Sequence, residues 1–190
     1  MEINVNTIIK DNDPLVRQKS EPVTLPLSEE DKALLLDMLT YVKESKDEKL
    51  AEEKNLRPAV GIAAVQVGVL KQMIAVDCEI GYDENDEPIV ATYALVNPKI
   101  ISASAKQAYL KYGEGCLSAE VDHSGFVPRS LRVKVEAYDL LQDKTITIRA
   151  EGYLAIVLQH EIDHFSGIMF YDRINQLAPD AKIPGAIMIE

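Results

Sequence analysis

Apolar positions along this chain recur at two different periods, and each period marks an element. Leu35, Met38, Leu39 and Val42 are spaced for one face of a helix, so they form a core-facing stripe. Ser28 stands before them, and Glu29, Glu30 and Asp31 fill the first turn. That is an N-cap followed by acids where the helix dipole favours them. Upstream, Ile8 to Val23 carries Asp13-Pro14 and Glu21-Pro22 and reads as irregular. Downstream, Glu44 to Lys54 is densely charged and reads as a frayed helix end or a solvated surface loop.

Past Pro58 the texture changes. Met73 to Val76 and Tyr93 to Val96 are short apolar strand candidates, with an acidic turn from Gly81 to Pro88 between them. That turn lacks the glycine and closing glutamate of a calcium loop. Leu131, Val133, Val135 and Ala137 alternate with Arg132, Lys134, Glu136 and Tyr138, the period of a half-buried strand. Thr145 to Ala150 is its expected partner.

Gly152 and Gly167 then bracket a segment of about four turns. Leu154, Ile156, Val157, Leu158, Ile162 and Phe165 leave little of it polar, so a buried helix is predicted. The tail from Ile174 to Glu190 turns apolar after Pro184-Gly185 and reads as a terminal strand or docking segment. The expected fold is α+β: mainly antiparallel sheets packed around the buried C-terminal helix, with one longer N-terminal helix.

Composition narrows the function classes. A chain of 190 residues suits a single catalytic domain over 1–190. With 47% hydrophobic and 27% charged residues, it is too apolar for disorder to dominate. Lys and Arg total 20 against 31 Asp and Glu, a net charge of −11. That balance speaks against direct nucleic-acid binding and against adhesion to anionic lipid. No apolar run approaches a membrane span, and the N-terminus has no basic patch followed by an apolar core. Two cysteines, Cys78 and Cys116, fit a reducing compartment, so a cytoplasmic location is expected.

The candidate chemistry lies in three segments. His160-Glu161-Ile162-Asp163-His164 is an HExxH pattern. Positions i and i+4 share one helix face, so two imidazoles there can hold one metal ion. Glu161 flanks the pair, where a general base for an attacking water must stand. Buried His and Glu without a metal would be costly in so apolar a helix. A third ligand must come from elsewhere. Cys116, in Glu114-Gly115-Cys116-Leu117-Ser118, is a better candidate than His123, because a thiolate is a strong ligand. His123 is expected at the surface, and Cys78 as a small buried hydrophobe. The third segment, Gly61 to Gly68, is built of small residues, and its single polar side chain is Gln66. That amide could donate to an oxyanion.

Together the segments resemble peptide deformylase, specifically its larger bacterial, type 2-like class. That family carries GxGxAAxQ, EGCLS and QHExDH in this order. The second stands intact as Glu114 to Ser118 and the third as Gln159 to His164. The first ends in Gly61 to Gln66 but has Ala59 where the family has its leading glycine, which concerns only the local backbone fit. Asp13-Pro14-Leu15, Val96-Asn97-Pro98, Val127-Pro128-Arg129, Gly167 and Asp172 extend the likeness. The charged segment and the acidic turn resemble insertions of the larger class.

The resemblance implies removal of the N-formyl group from nascent peptides that begin with formylmethionine, releasing formate. It implies that Cys116, His160 and His164 hold one divalent metal, Fe2+ in the cell, with Zn2+, Ni2+ or Co2+ able to substitute. Glu161 would move the proton of the attacking water. The oxyanion would be met by the metal, the Gln66 amide and the Leu117 N–H. Val60, Tyr112, Tyr153, Ile156 and Val157 would line a methionine pocket, and main-chain groups of Val60, Gly61 and Gly115 would pair with an extended peptide. Glu114 would pair with Arg129 and fix the Cys116 loop. A monomer in transient contact with the ribosome fits such a substrate.

Two other readings of the residues are a zinc endopeptidase and a non-enzymatic protein with a structural metal. The first usually takes a His or Glu as third ligand. The second needs four protein ligands, so Cys78 would have to be the fourth.

Overall fold

The computed structural model describes residues 1–190. Helix α1 spans Glu29–Glu44, and the Ser28 Oγ accepts from the Asp31 N–H at 3.1 Å. Leu34, Leu35, Met38, Leu39, Tyr41 and Val42 are its buried stripe. The charged segment that follows is a second helix, α2, over Glu48–Lys54, rather than a frayed end or loop. Asp47 caps it by accepting from the Leu50 N–H at 3.0 Å, and none of its residues is buried. Good helix formers and one cap suffice for a helix with no fully buried residue.

Five strands make the larger sheet: β1 (Gly61–Ala63), β2 (Met73–Tyr82), β3 (Pro88–Ala103), β6 (Arg132–Asp139) and β7 (Lys144–Glu151). They lie in the order β1-β2-β3-β6-β7, all antiparallel. A smaller sheet of β4 (Gln107–Leu110), β5 (Arg129–Ser130) and β8 (Ile187–Ile189) has the order β5-β4-β8, and β8 pairs with β4 in parallel. The tail therefore ends as a strand. β2 and β3 run well beyond their apolar cores because the Asp83 turn closes a long hairpin, its Oδ1 accepting from the N–H groups of Asn85 and Glu87 at 2.8 and 3.0 Å.

Helix α3 spans Tyr153–Asp163 and runs on as a 3₁₀ turn through His164–Ser166 to Gly167. It stands between the two sheets. Leu154, Ala155, Val157 and Leu158 join Ile74, Val76, Cys78, Val133 and Val135 of the larger sheet. Ile156 points the other way, to Ala108 and Leu131. Met73 and Ala75, on the opposite face of β2, pack with α1. The centre of β2 is thus buried on both sides, which is why its sequence reads as an apolar run and not an alternation.

Gly167 has φ +68°, and a β-carbon there would lie 2.1 Å from the Arg17 carbonyl. Only glycine fits, and this crossing holds the N-terminal segment against the end of the motif. No helix is long and apolar enough to cross a membrane.

Candidate active site

Three elements converge on one cleft of about 360 Å³. Strand β1, at the edge of the larger sheet, brings Val60 and Gly61. The loop after β4 brings Glu114, Gly115, Cys116 and Leu117, and α3 brings Tyr153, Ile156, Val157, His160 and Glu161. One ligand atom each from Cys116, His160 and His164 lies within 4.8 Å of the other two. The Cys116 Sγ stands 3.5 Å from the His164 Nε2. Tetrahedral bonds of ordinary thiolate and imidazole length would set such a pair about 3.6 Å apart, so the donor set fits a single small divalent ion.

The imidazoles are held from behind. The His160 Nδ1 lies 2.8 Å from the Glu114 Oε1, which directs its Nε2 toward the cluster. Arg129 donates two hydrogen bonds to Glu114, at 2.9 and 3.0 Å, and a third to Asp163 at 2.6 Å. Arg173 in turn donates to both Asp163 carboxylate oxygens at 2.7 Å. The Arg129 and Glu114 side chains are almost wholly buried, so each needs the other. Glu114 and Arg129 thus form one buried pair. The Asp163 and Arg173 arm is an addition, and its only signal in the sequence is the acid inside the last motif.

Charge follows this wiring. Burial raises the Glu114 carboxyl, but hydrogen bonds from His160 and Arg129 outweigh it and hold the pKa at about 2. Burial also raises the Cys116 thiol, and the nearby His164 and His160 outweigh that, holding it well below its ordinary value. It is poised as the thiolate a metal requires. Burial pushes Glu161 up, and Cys116 adds to that, against the lowering effect of the two imidazoles. A raised carboxyl suits a group that must both take and return a proton. Glu161 Oε2 and His164 Nδ1 are buried with no hydrogen-bond partner in the protein.

Gln66 and Leu117 line the same cleft. The Gln66 Oε1 accepts from the Ala63 N–H at 2.9 Å, so its Nε2 faces Cys116 Sγ at 3.4 Å and Ser118 Oγ at 3.2 Å. The Leu117 carbonyl accepts from Lys10 Nζ at 2.7 Å, and its N–H has no acceptor within the chain.

The profile of a family described as "Polypeptide deformylase" matches residues 5–180. The chain belongs to the polypeptide deformylase family. It is 49% identical over 187 residues to "Peptide deformylase 2" of Geobacillus stearothermophilus, covering 98% of each chain. The protein of that name in Bacillus subtilis is 44% identical, with 99% of each covered. The solved peptide deformylase of Thermus thermophilus superposes with a TM-score of 0.67 at 30% identity, over 90% of this chain and 86% of that one. The chain is a peptide deformylase by family: a metal-dependent hydrolase that removes the N-formyl group from nascent peptides.

Within this deformylase cleft two expectations fail. Tyr112 is 86% exposed and lies outside the cleft, its ring beside Lys111 Nζ. Leu110 lines the cleft in its place, because β4 ends at Leu110 and the turn that follows carries Tyr112 outward. His123 is not a free surface residue. It is partly buried and stacks on Tyr171 with ring centres 3.9 Å apart. Cys78 is fully buried in the core, outside the Cys116–His160–His164 group, and burial pushes its thiol up to about 11. The structural-metal reading thereby loses its fourth ligand. Lys46, Arg57, Pro58 and Ala59 also line the cleft. Ala59 holds the first position of the GxGxAAxQ segment, but nothing in sequence spacing marks the other three.

Proposed function

We propose that this deformylase holds its metal through Cys116, His160 and His164, with Glu161 as the proton carrier. The observation that carries the reading is the meeting of that donor set, the buried Glu161 carboxylate and the Gln66 amide in one cleft. When bound, the metal supplies Lewis-acid activation of water and of the formyl carbonyl. Glu161 takes the proton of the attacking water and returns it to the leaving amine, so one carboxylate serves both halves of the reaction. The charge that develops on the formyl oxygen is met by the Gln66 Nε2–H and the Leu117 N–H.

In this reading the methionine side chain lies among Val60, Leu110, Tyr153, Ile156 and Val157. The peptide backbone runs along edge strand β1 past Val60 and Gly61, facing Gly115. Residues 1–190 act as one catalytic domain. A cytoplasmic monomer in brief contact with the ribosome suits a substrate that emerges there.

Ferrous iron is the ion we assign in the cell, with zinc, nickel and cobalt as substitutes. The support is the family likeness and a soft thiolate beside two imidazoles, a set that accepts all four. The test is to strip the protein, reload it anaerobically with each ion, and measure metal stoichiometry beside formate release. One ion per chain with iron fastest supports the assignment. Equal rates with all four, or two ions per chain, would overturn it.

A further inference from the structure

Strand β8 reaches the cleft from behind. It pairs with β4, setting Ala108 opposite Ile187, Tyr109 opposite Met188 and Leu110 opposite Ile189. One step further, the Lys111 N–H donates to the Ile189 carbonyl at 2.8 Å, and Lys111 Nζ pairs with the Glu190 carboxylate. On its other edge β4 has only Gln107 and Ala108 paired, with Ser130 and Arg129 of β5. β8 therefore supplies the longer backbone ladder that fixes β4. The loop bearing Gly115 and Cys116 leaves directly from β4.

The side chains repeat the pattern. Ile189 and Leu110 pack on buried Ala108, Leu131 and Ile156. Leu110 and Ile156 line the cleft, whereas Ile189 does not. Ile189 also reaches the start of α3: a β-carbon on Gly152 would lie 3.7 Å from its Cδ1. One side chain thus backs two cleft residues that come from different elements.

We propose that β8 sets the width of the methionine pocket, with Ile189 as a positioning residue behind Leu110 and Ile156. This rests on reading the cleft as that pocket. Close-packed walls transmit a change in volume to their neighbours. With Ile189 cut back, Leu110 and Ile156 relax outward and grip an unbranched apolar side chain less well. Glu114, Arg129 and Asp163, which hold the reacting groups through side-chain hydrogen bonds, lie outside the apolar cluster of Ile189, so trimming that side chain alone leaves their geometry.

The experiment is steady-state formate release by metal-loaded Ile189→Ala and by a chain ended at Gly185, with formyl-Met-Ala and formyl-Ala-Ala as substrates. For both variants KM for formyl-Met-Ala rises about three- to tenfold, the scale of a lost apolar fit. In Ile189→Ala metal content and kcat stay within about twofold, as befits lost binding and not lost chemistry. The preference for formyl-Met over formyl-Ala shrinks, and Ile189→Val recovers most of it. If the shortened chain does not fold, Ile189→Ala decides alone. Unchanged KM and preference would overturn the inference, and so would loss of metal and kcat together at constant KM, which would make β8 a general stabiliser. Unmodified protein with no preference for formyl-Met would instead overturn the assignment of the cleft, and this inference with it.

Discussion

Gly61 leaves the Glu161 carboxylate the space it occupies: a β-carbon at position 61 would lie 2.8 Å from the Glu161 Oε1. The chain there has no unusual backbone angle, so the constraint is the close approach and not conformational freedom. Gly61→Ala should push Glu161 off its position while leaving the three metal ligands untouched. A displacement of this order costs about 10²-fold in rate. The expected result is kcat down by about that factor with the metal to protein ratio unchanged. Full activity in the variant would show that the carboxylate has room to spare.

Arg129 joins two carboxylates, Glu114 and Asp163, and Glu114 has no other arginine or lysine partner, whereas Asp163 keeps Arg173. Breaking a buried pair by removing one partner costs about 3–5 kcal/mol. Arg129→Ala should therefore lower the denaturant midpoint sharply. It should also weaken metal retention, since Glu114 orients His160. Arg129→Lys should rescue poorly, because an ammonium cannot reproduce the forked bonds. Equilibrium unfolding and metal analysis of both variants check this. An alanine variant with full metal content and full activity would remove the positioning role.

The cleft wall has its own acid-sensitive contact. Lys46 Nζ reaches the Asp77 carboxylate, and Thr92 Oγ1 donates to its other oxygen at 2.5 Å. Burial raises the Asp77 carboxyl, but the Lys46 and Thr92 hydrogen bonds outweigh it and hold it below the ordinary 3.8. A carboxyl depressed on folding adds stability that is complete above its unfolded pKa and disappears as pH falls through the folded one. The stability gap between wild type and Asp77→Asn should be full at neutral pH and close below about pH 4. Denaturant midpoints from pH 7 to 3 read it directly. A gap constant across that range would mean the ionised carboxylate is not the source.

Much of this site was legible because its chemistry is local in sequence. Cys116, His160, Glu161, His164 and Gln66 each sit in a short motif, and the fold only has to bring three motifs together. The alternation from Leu131 to Tyr138 likewise announced β6, since one face of it is buried and the other is not. What stayed hidden depends on distant partners. Leu110 lines the cleft instead of Tyr112 because of where β4 ends and which strand stands behind it, and no periodicity encodes that. Asp163 sits in the last motif, but its role comes from Arg129, 34 residues away. α2 escaped notice because a helix with no buried face has no apolar stripe to betray it. His123 lies in a polar stretch, and only the folding of Tyr171 against it shows that it is covered.

In the proposed mechanism one carboxylate, Glu161, carries the proton for hydrolysis of a formyl amide in this cleft. The most direct measurement is formate release from formyl-Met-Ala by anaerobically prepared, iron-loaded protein, beside Glu161→Ala and beside unformylated Met-Ala. The wild type should release formate, the variant should lose about 10²–10⁴-fold at equal metal content, and Met-Ala should stay uncleaved. Undiminished formate release by metal-loaded Glu161→Ala would mean that another group carries the proton.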